Sequence, residues 1–283
     1  ALNHYFTFHT VVPAPHTMVN GIKKLPQACT LEFHADSGEL NLHDPYWRIP
    51  TPTASGGSYE DCRDLLAEKL ELAVKHRMTA AVDVGVLLSG GLDSSLITAL
   101  ANQHHPDLHT FSIGFESTEE EKGDEFEYSD VIVNHFQTTH TQIPIEKGRM
   151  LSALPQAVAA MSEPMGSHDA IGFYLLSQEV SRSIKVVQSG QGADEVFAGY
   201  HWYPKIAGSS GSAADAYEQA FFDRDEADLN GLLSGDYQVP GNPGREFLDS
   251  WFDALGDTAA VDKALHIDSG VMLVDDPVKR VDN

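Results

Sequence analysis

Positive charge is what this 283-residue chain has least of: 18 Lys and Arg stand against 42 Asp and Glu, a formal net charge of −24. Such a surface repels phosphate backbones and anionic headgroups, so neither nucleic acid nor a membrane surface is an expected partner. Cysteine is nearly absent, with only Cys29 and Cys62. Two residues outside any CxxC pair make no disulfide framework and read as free thiols in a reducing compartment. No run approaches the ~20 apolar residues a membrane span needs. The first residues also lack the charged-then-apolar pattern of a secretory signal. A cytoplasmic protein is the expectation. Histidine is plentiful, yet no HExxH occurs, and His104, His105, His135 and His140 lack a Cys or acid at finger spacing. What remains is ordinary: 42% hydrophobic and 9% aromatic residues, enough for a full-sized core.

Two regions differ in pattern. Ala1 to Thr53 carries six prolines (13, 15, 26, 45, 50 and 52) and one hairpin signal. There Thr30–His34 and Leu40–His43 alternate around the turn Ala35-Asp-Ser-Gly-Glu39. Ala54–Ser58 reads as a linker. Ser58 with Asp61 resembles a capping box, and Cys62, Leu65, Leu66, Leu70 and Ala73 form the stripe of an amphipathic helix. Apolar runs at Val82–Leu88, Thr110–Phe115, Thr139–Ile145 and Ile184–Gln188 then alternate with helical stretches from about Leu92, Phe126, Arg149 and Asp169. Strands alternating with helices predict an α/β fold, a parallel sheet with helices on both faces. Tyr200 to Asn283 is mostly helical in pattern.

In open parallel sheets, ligands bind beyond the carboxyl ends of the strands. Two polar, glycine-rich loops fall there. Ser89-Gly-Gly-Leu-Asp-Ser-Ser95 follows the first run: Gly90 and Gly91 allow close backbone approach to a phosphate, and the helix start supplies N–H donors. Ser89, Ser94 and Ser95 add hydroxyls. The Gly-Lys-Ser/Thr of a triphosphatase loop is missing, and Asp93 makes sense if a divalent cation bridges it to phosphate. Ser189-Gly-Gln-Gly-Ala-Asp-Glu195 repeats this grammar after the last run, with Asp194 as a second carboxylate for the same cation. A strand-to-helix turn of small residues, or an acid capping a helix, would look similar. The pairing of the two loops favours the ligand-binding reading.

Ser89–Ser95, Phe111–Phe115 and Ser189–Tyr200 together resemble the synthetase domain of the asparagine synthetase B-type glutamine-dependent amidotransferase family. The resemblance reaches Pro13–Leu31, similar to the stretch joining glutaminase to ligase, and Asp275-Asp-Pro-Val-Lys-Arg-Val-Asp-Asn283. The wording of Gly123–Asp130, Met161–Met165, Ser189–Tyr203 and Val271–Asn283 resembles the N-acetylglutaminylglutamine amide synthase branch. The resemblance implies an adenine nucleotide alpha hydrolase-like (ATP pyrophosphatase) fold and an ATP-dependent, AMP-forming amide ligase. It implies ATP and Mg²⁺, with the metal on Asp93 and Asp194, and Asp93, Asp194 and Glu195 as catalytic residues. Leu87, Ile113, Ser89–Ser95, Ser189 and Gly190 would contact the nucleotide, and Glu125 would approach the pyrophosphate. Glu163, Asp169 and Gln191 would face a small-molecule carboxylic acid, aspartate or N-acetylglutaminylglutamine. Another adenylating enzyme with the same loop, such as an NAD or GMP synthetase relative, and a silent nucleotide-binding module are the alternatives.

The pattern departs in places. Asparagine synthetases carry Glu where this chain has Gln191, and an amide cannot take a proton. Glu163, Ser167, His168 and Asp169 are the other groups considered for that role. The family's glutaminase begins with a catalytic Cys, whereas this chain begins Ala1-Leu-Asn. The expected organisation is therefore 1–55 as the linker and hairpin ending a glutaminase domain, and 56–283 as a synthetase domain truncated at its C-terminus. Ammonia would come from a glutaminase domain absent from the chain, and a homodimer is the candidate assembly.

Overall fold

The computed structural model describes residues 1–52, 56–116 and 126–282. These fall into two units, one of Ala54–Ala160 and Ser167–Gln191, the other of Ala1–Thr53, Met161–Gly166 and Gly192–Asp282. The expected hairpin is present: β1 (Leu31–His34) pairs antiparallel with β2 (Glu39–Leu42). Its register sets Leu31 opposite Leu42 and Phe33 opposite Leu40. Side chains alternate across a strand, so these four apolar residues share one face. All four are exposed. Cys29 precedes β1.

In the other unit, β3 (Val84–Leu87), β4 (His109–Phe115), β5 (Thr139–Ile145) and β6 (Val186–Gln188) form a parallel sheet in the order β5-β4-β3-β6. Alternation along the strands builds two apolar layers. Val84 and Val86 pack with Val74, Met78, Ala101 and Leu108 of the helices Tyr59–Met78 and Leu92–His104 and the turn after them. On the opposite face Phe111, Ile143 and Ile145 meet Leu175, Leu176 and Val180 of the helix Asp169–Val180. The α/β class with helices on both faces is therefore correct. Successive strands run outward from β3 to β5, and β6 joins on the other side of β3. That reversal of strand order is where open sheets leave a crevice at their carboxyl edge.

The helix Tyr59–Met78 carries the expected capping box: Ser58 Oγ accepts from Asp61 N at 3.2 Å, and Ser58 N donates to Asp61 Oδ2 at 3.0 Å. Its apolar stripe needs correction. Cys62, Leu65 and Leu66 are exposed, and the buried residues are Val74 and Met78. A helix of 20 residues is about 30 Å long. The four-residue strand beneath it spans only about 13 Å, so the last turns alone reach the sheet. Residues 54 and 55 of the expected linker lie outside the described residues.

From Tyr200 to Asp282 the second unit is mostly helical, as the pattern there predicts. Tyr203, Ile206, Tyr217, Leu248, Phe252, Ala264 and Ile267 close around Phe8 and Val11 near the start of the chain. Asp268–Met272 and Val274–Val278 continue the helix Ala260–Ile267 as π-helical turns.

Candidate functional site

The loop after β3 is fixed at its root. Leu88 N donates to the Phe111 carbonyl at 2.8 Å, and Ser112 Oγ donates to the Leu88 carbonyl. Gly90 then turns with φ +89°. A Cβ there would lie 2.5 Å from the Tyr128 backbone carbon, so both the conformation and the space require glycine. Gly91 is the N-cap of Leu92–His104 and has no side chain to cap with. The first-turn N–H groups are therefore left to solvent or to an anion. Within the loop, Ser89 Oγ lies 3.0 Å from Ser94 Oγ and accepts from Gly91 N at 3.2 Å. Ser95 differs from these: its hydroxyl is buried and has no hydrogen-bond partner.

The second loop arrives beside the first because β6 pairs with β3. Gly190 is the point of contact. A Cβ on it would stand 3.1 Å from both Asp93 Cβ and Ser94 N. Ser189 Oγ accepts from Gln191 N at 3.2 Å, and Gln191 is exposed. Leu87 and Ile113 pack against one apolar cluster at the neighbouring strand ends. The structure thus gathers Leu87, Ser89–Ser95, Ile113, Ser189 and Gly190 at one edge of the sheet. Asp169 stands at the start of its helix, its N–H donating to Ser167 Oγ at 3.1 Å and its carboxylate 3.3 Å from His168.

Asp194 and Glu195 belong to the helical unit, on the five-residue helix Ala193–Phe197. The Asp194 carboxylate lies over Gly199, where a Cβ would approach Oδ1 to 1.9 Å. Glu195 is buried. Its Oε1 accepts from Tyr200 OH at 2.7 Å, and Oε2 has no partner. Burial raises its carboxyl above the ordinary range, the Tyr200 bond opposes this, and the charges of Asp194 and Asp276 add to it. Glu163 is also buried in this unit, bound by Lys24 and by Met18 N. That Tyr200 binds Glu195 and Lys24 binds Glu163 was not legible in the sequence, because no local pattern encodes either pairing. Glu125 lies outside the described residues.

The donor set at the β3 loop, backbone N–H groups and serine hydroxyls with one carboxylate, suits phosphate oxygens and a divalent cation. Among the described residues, no three His, Cys, Asp or Glu side chains gather as a metal cluster. A Mg²⁺ ion held mainly by phosphate oxygens needs only one or two carboxylates.

Fold and loop together define an α/β protein with a serine–glycine loop at the carboxyl edge of a parallel sheet. The chain belongs to the asparagine synthase family, whose model matches residues 65–283. It is 30% identical over 206 residues to glutamine-hydrolysing asparagine synthetase 1 of Bacillus subtilis strain 168, covering 72% of this chain and 31% of that protein. It is 31% identical over 157 residues to asparagine synthetase B of Escherichia coli K12, covering 50% and 27%. The chain thus spans about a third of the length of the curated relatives it matches. An NH₃-dependent NAD synthetase structure from Campylobacter jejuni aligns over 74% of this chain and 92% of its own, with 13% identity and a TM-score of 0.33, too loosely to carry an argument. No helix among the described residues is long and apolar enough to cross a membrane.

Proposed function

We propose that this chain carries the synthetase part of an ATP-dependent, AMP-forming amide ligase. One observation carries the reading. Gly190 of the second loop is wedged against Asp93 and Ser94 of the first, so that two glycine-rich loops meet at one helix start. In this reading the backbone and hydroxyls of Ser89–Ser95 hold the pyrophosphate part of ATP, and Leu87 and Ile113 border the adenine. The substrate carboxylate attacks the α-phosphorus, giving an acyl-adenylate and releasing pyrophosphate. Ammonia then attacks the acyl carbon, and AMP leaves with the bonding electrons. Asp93 and Asp194 would hold Mg²⁺, which neutralises charge on the departing pyrophosphate when bound.

The chain's own residues set the remaining chemistry. Gln191 can orient the acyl group by hydrogen bonds but takes no proton. Glu195, buried with one oxygen unpartnered, holds a proton more readily than an exposed carboxylate. The acyl substrate is a small carboxylic acid, aspartate or N-acetylglutaminylglutamine. Ammonia is supplied by a glutaminase, in a soluble cytoplasmic setting.

Labelled pyrophosphate should exchange into ATP only with Mg²⁺ and the correct acid present. Asp93→Asn should lower that exchange about a hundredfold. Exchange that ignores the acid supplied, or that survives Asp93→Asn undiminished, would overturn the reading.

A further inference from the structure

Four charged side chains meet within the helical unit. Lys24 Nζ lies 2.7 Å from Glu163 Oε2, 2.8 Å from Asp275 Oδ1 and 2.6 Å from the Val12 carbonyl. An ammonium has three N–H bonds, and each has an acceptor here. Glu163 accepts from Met18 N at 2.9 Å through Oε1, while Lys279 Nζ stands 3.6 Å from Oε2. The four side chains are between 9% and 19% exposed, so two cations and two anions balance in a largely dry place. A second anchor lies three residues on. Gly166 N donates to Thr10 Oγ1 at 3.3 Å, and a Cβ on Gly166 would meet Thr10 Cγ2 at 2.7 Å. Met161–Gly166 is therefore held by residues 10–24, although the chain on both sides of it belongs to the α/β unit.

We propose that Lys24 is a positioning residue for the acyl substrate: by clamping Glu163 it fixes the backbone of Met161–Gly166, from which the chain enters Ser167–Asp169. This rests on the ligase reading above, in which Glu163 and Asp169 belong to the acyl-facing segment. Glu163 itself is poorly suited to take the proton of attacking ammonia. Burial favours its protonation, but Lys24, the Met18 amide and Lys279 outweigh that and hold the carboxyl below its ordinary range. Lys24 reaches the substrate only through Glu163.

Two readouts on the purified chain separate the clamp from the ligase reading. Lys24→Met should speed hydrogen exchange at the amides of Met161–Gly166 about tenfold, and raise KM for the acyl acid about tenfold while KM for ATP stays put. A purely structural defect would move both KM values together. Adding Glu163→Gln to Lys24→Met leaves one cation and one anion, Lys279 and Asp275. The double variant should therefore melt above Lys24→Met alone, with the acyl KM still raised. Unchanged amide exchange in Lys24→Met, or a double variant that melts no higher, overturns the clamp. If the unaltered chain supports no exchange with any acid, the ligase reading and the substrate role of Lys24 both fall. The clamp on Glu163 is then still decided by amide exchange and melting.

Discussion

Glu163 and Asp268 are both buried carboxylates of the helical unit, 8% and 1% exposed, and their proton affinities move in opposite directions. Burial raises the pKa of each. At Glu163 two ammonium groups and a backbone N–H outweigh it, and the carboxyl ends below its ordinary range. At Asp268 the partners are the hydroxyls of Tyr203, at 2.6 Å, and Tyr217, both neutral. Glu195 adds a repulsive negative charge, and Asp268 is pushed up to about 7. Both phenols are in turn pushed above their usual range, first by burial and then by the carboxylate. Depth therefore does not decide the charge state of an acid here. A full positive charge next to it does, and two hydroxyl dipoles fall short.

The widest effect should come from pH. Asp268 has its folded pKa raised from 3.8 to about 7. Its contribution to stability is thus fully present below pH ~4 and is lost as pH rises through ~7, a change of about 4 kcal/mol. Urea unfolding of Asp268→Asn should lack that decline, and an identical slope in both proteins would break the comparison. Glu163 works in the other window. Its folded pKa is depressed, so its contribution is present above the ordinary carboxylate range and is lost as pH falls below it.

Next in size is Lys24→Met, which leaves Glu163 and Asp275 to share Lys279. Uncompensated buried charge should cost about 3 kcal/mol at pH 7, read from the denaturation midpoint. Smallest is Tyr217→Phe, which removes one of two donors to Asp268. The loss should be about 2 kcal/mol above pH 7, where the bond is charge-assisted, and less at pH 4. Equal losses at both pH values would show that the ring's packing, rather than its hydroxyl, is what matters.

The loop after β3 and its setting between strand and helix were readable in the sequence. The glycines, serines and acid of 89–95 lie within seven positions of one another, next to an apolar strand and a helix start. Ser58 and Asp61 likewise form their capping box across three residues. The stripe at Cys62, Leu65 and Leu66 misled because periodicity reports which residues share a helix face, and only the length of the sheet beneath decides how many are covered. The hairpin shows the same limit: its alternation was legible, while the exposure of Leu31, Phe33, Leu40 and Leu42 was not.

Unaided, the amino-acid order determined the strands, the loop that turns on Gly90, and the helix that follows. The loop and the helix depend on hydrogen bonds and steric limits that act within a few residues, and the strands show as short apolar runs whose pairing comes later. Tertiary structure decided which distant groups became neighbours. Lys24 reaches Asp275 across 251 positions, and Met18 reaches Glu163 across 145. Whether a carboxylate there is ionised depends on which charges the returning chain brings to it, and no local pattern of residues encodes that.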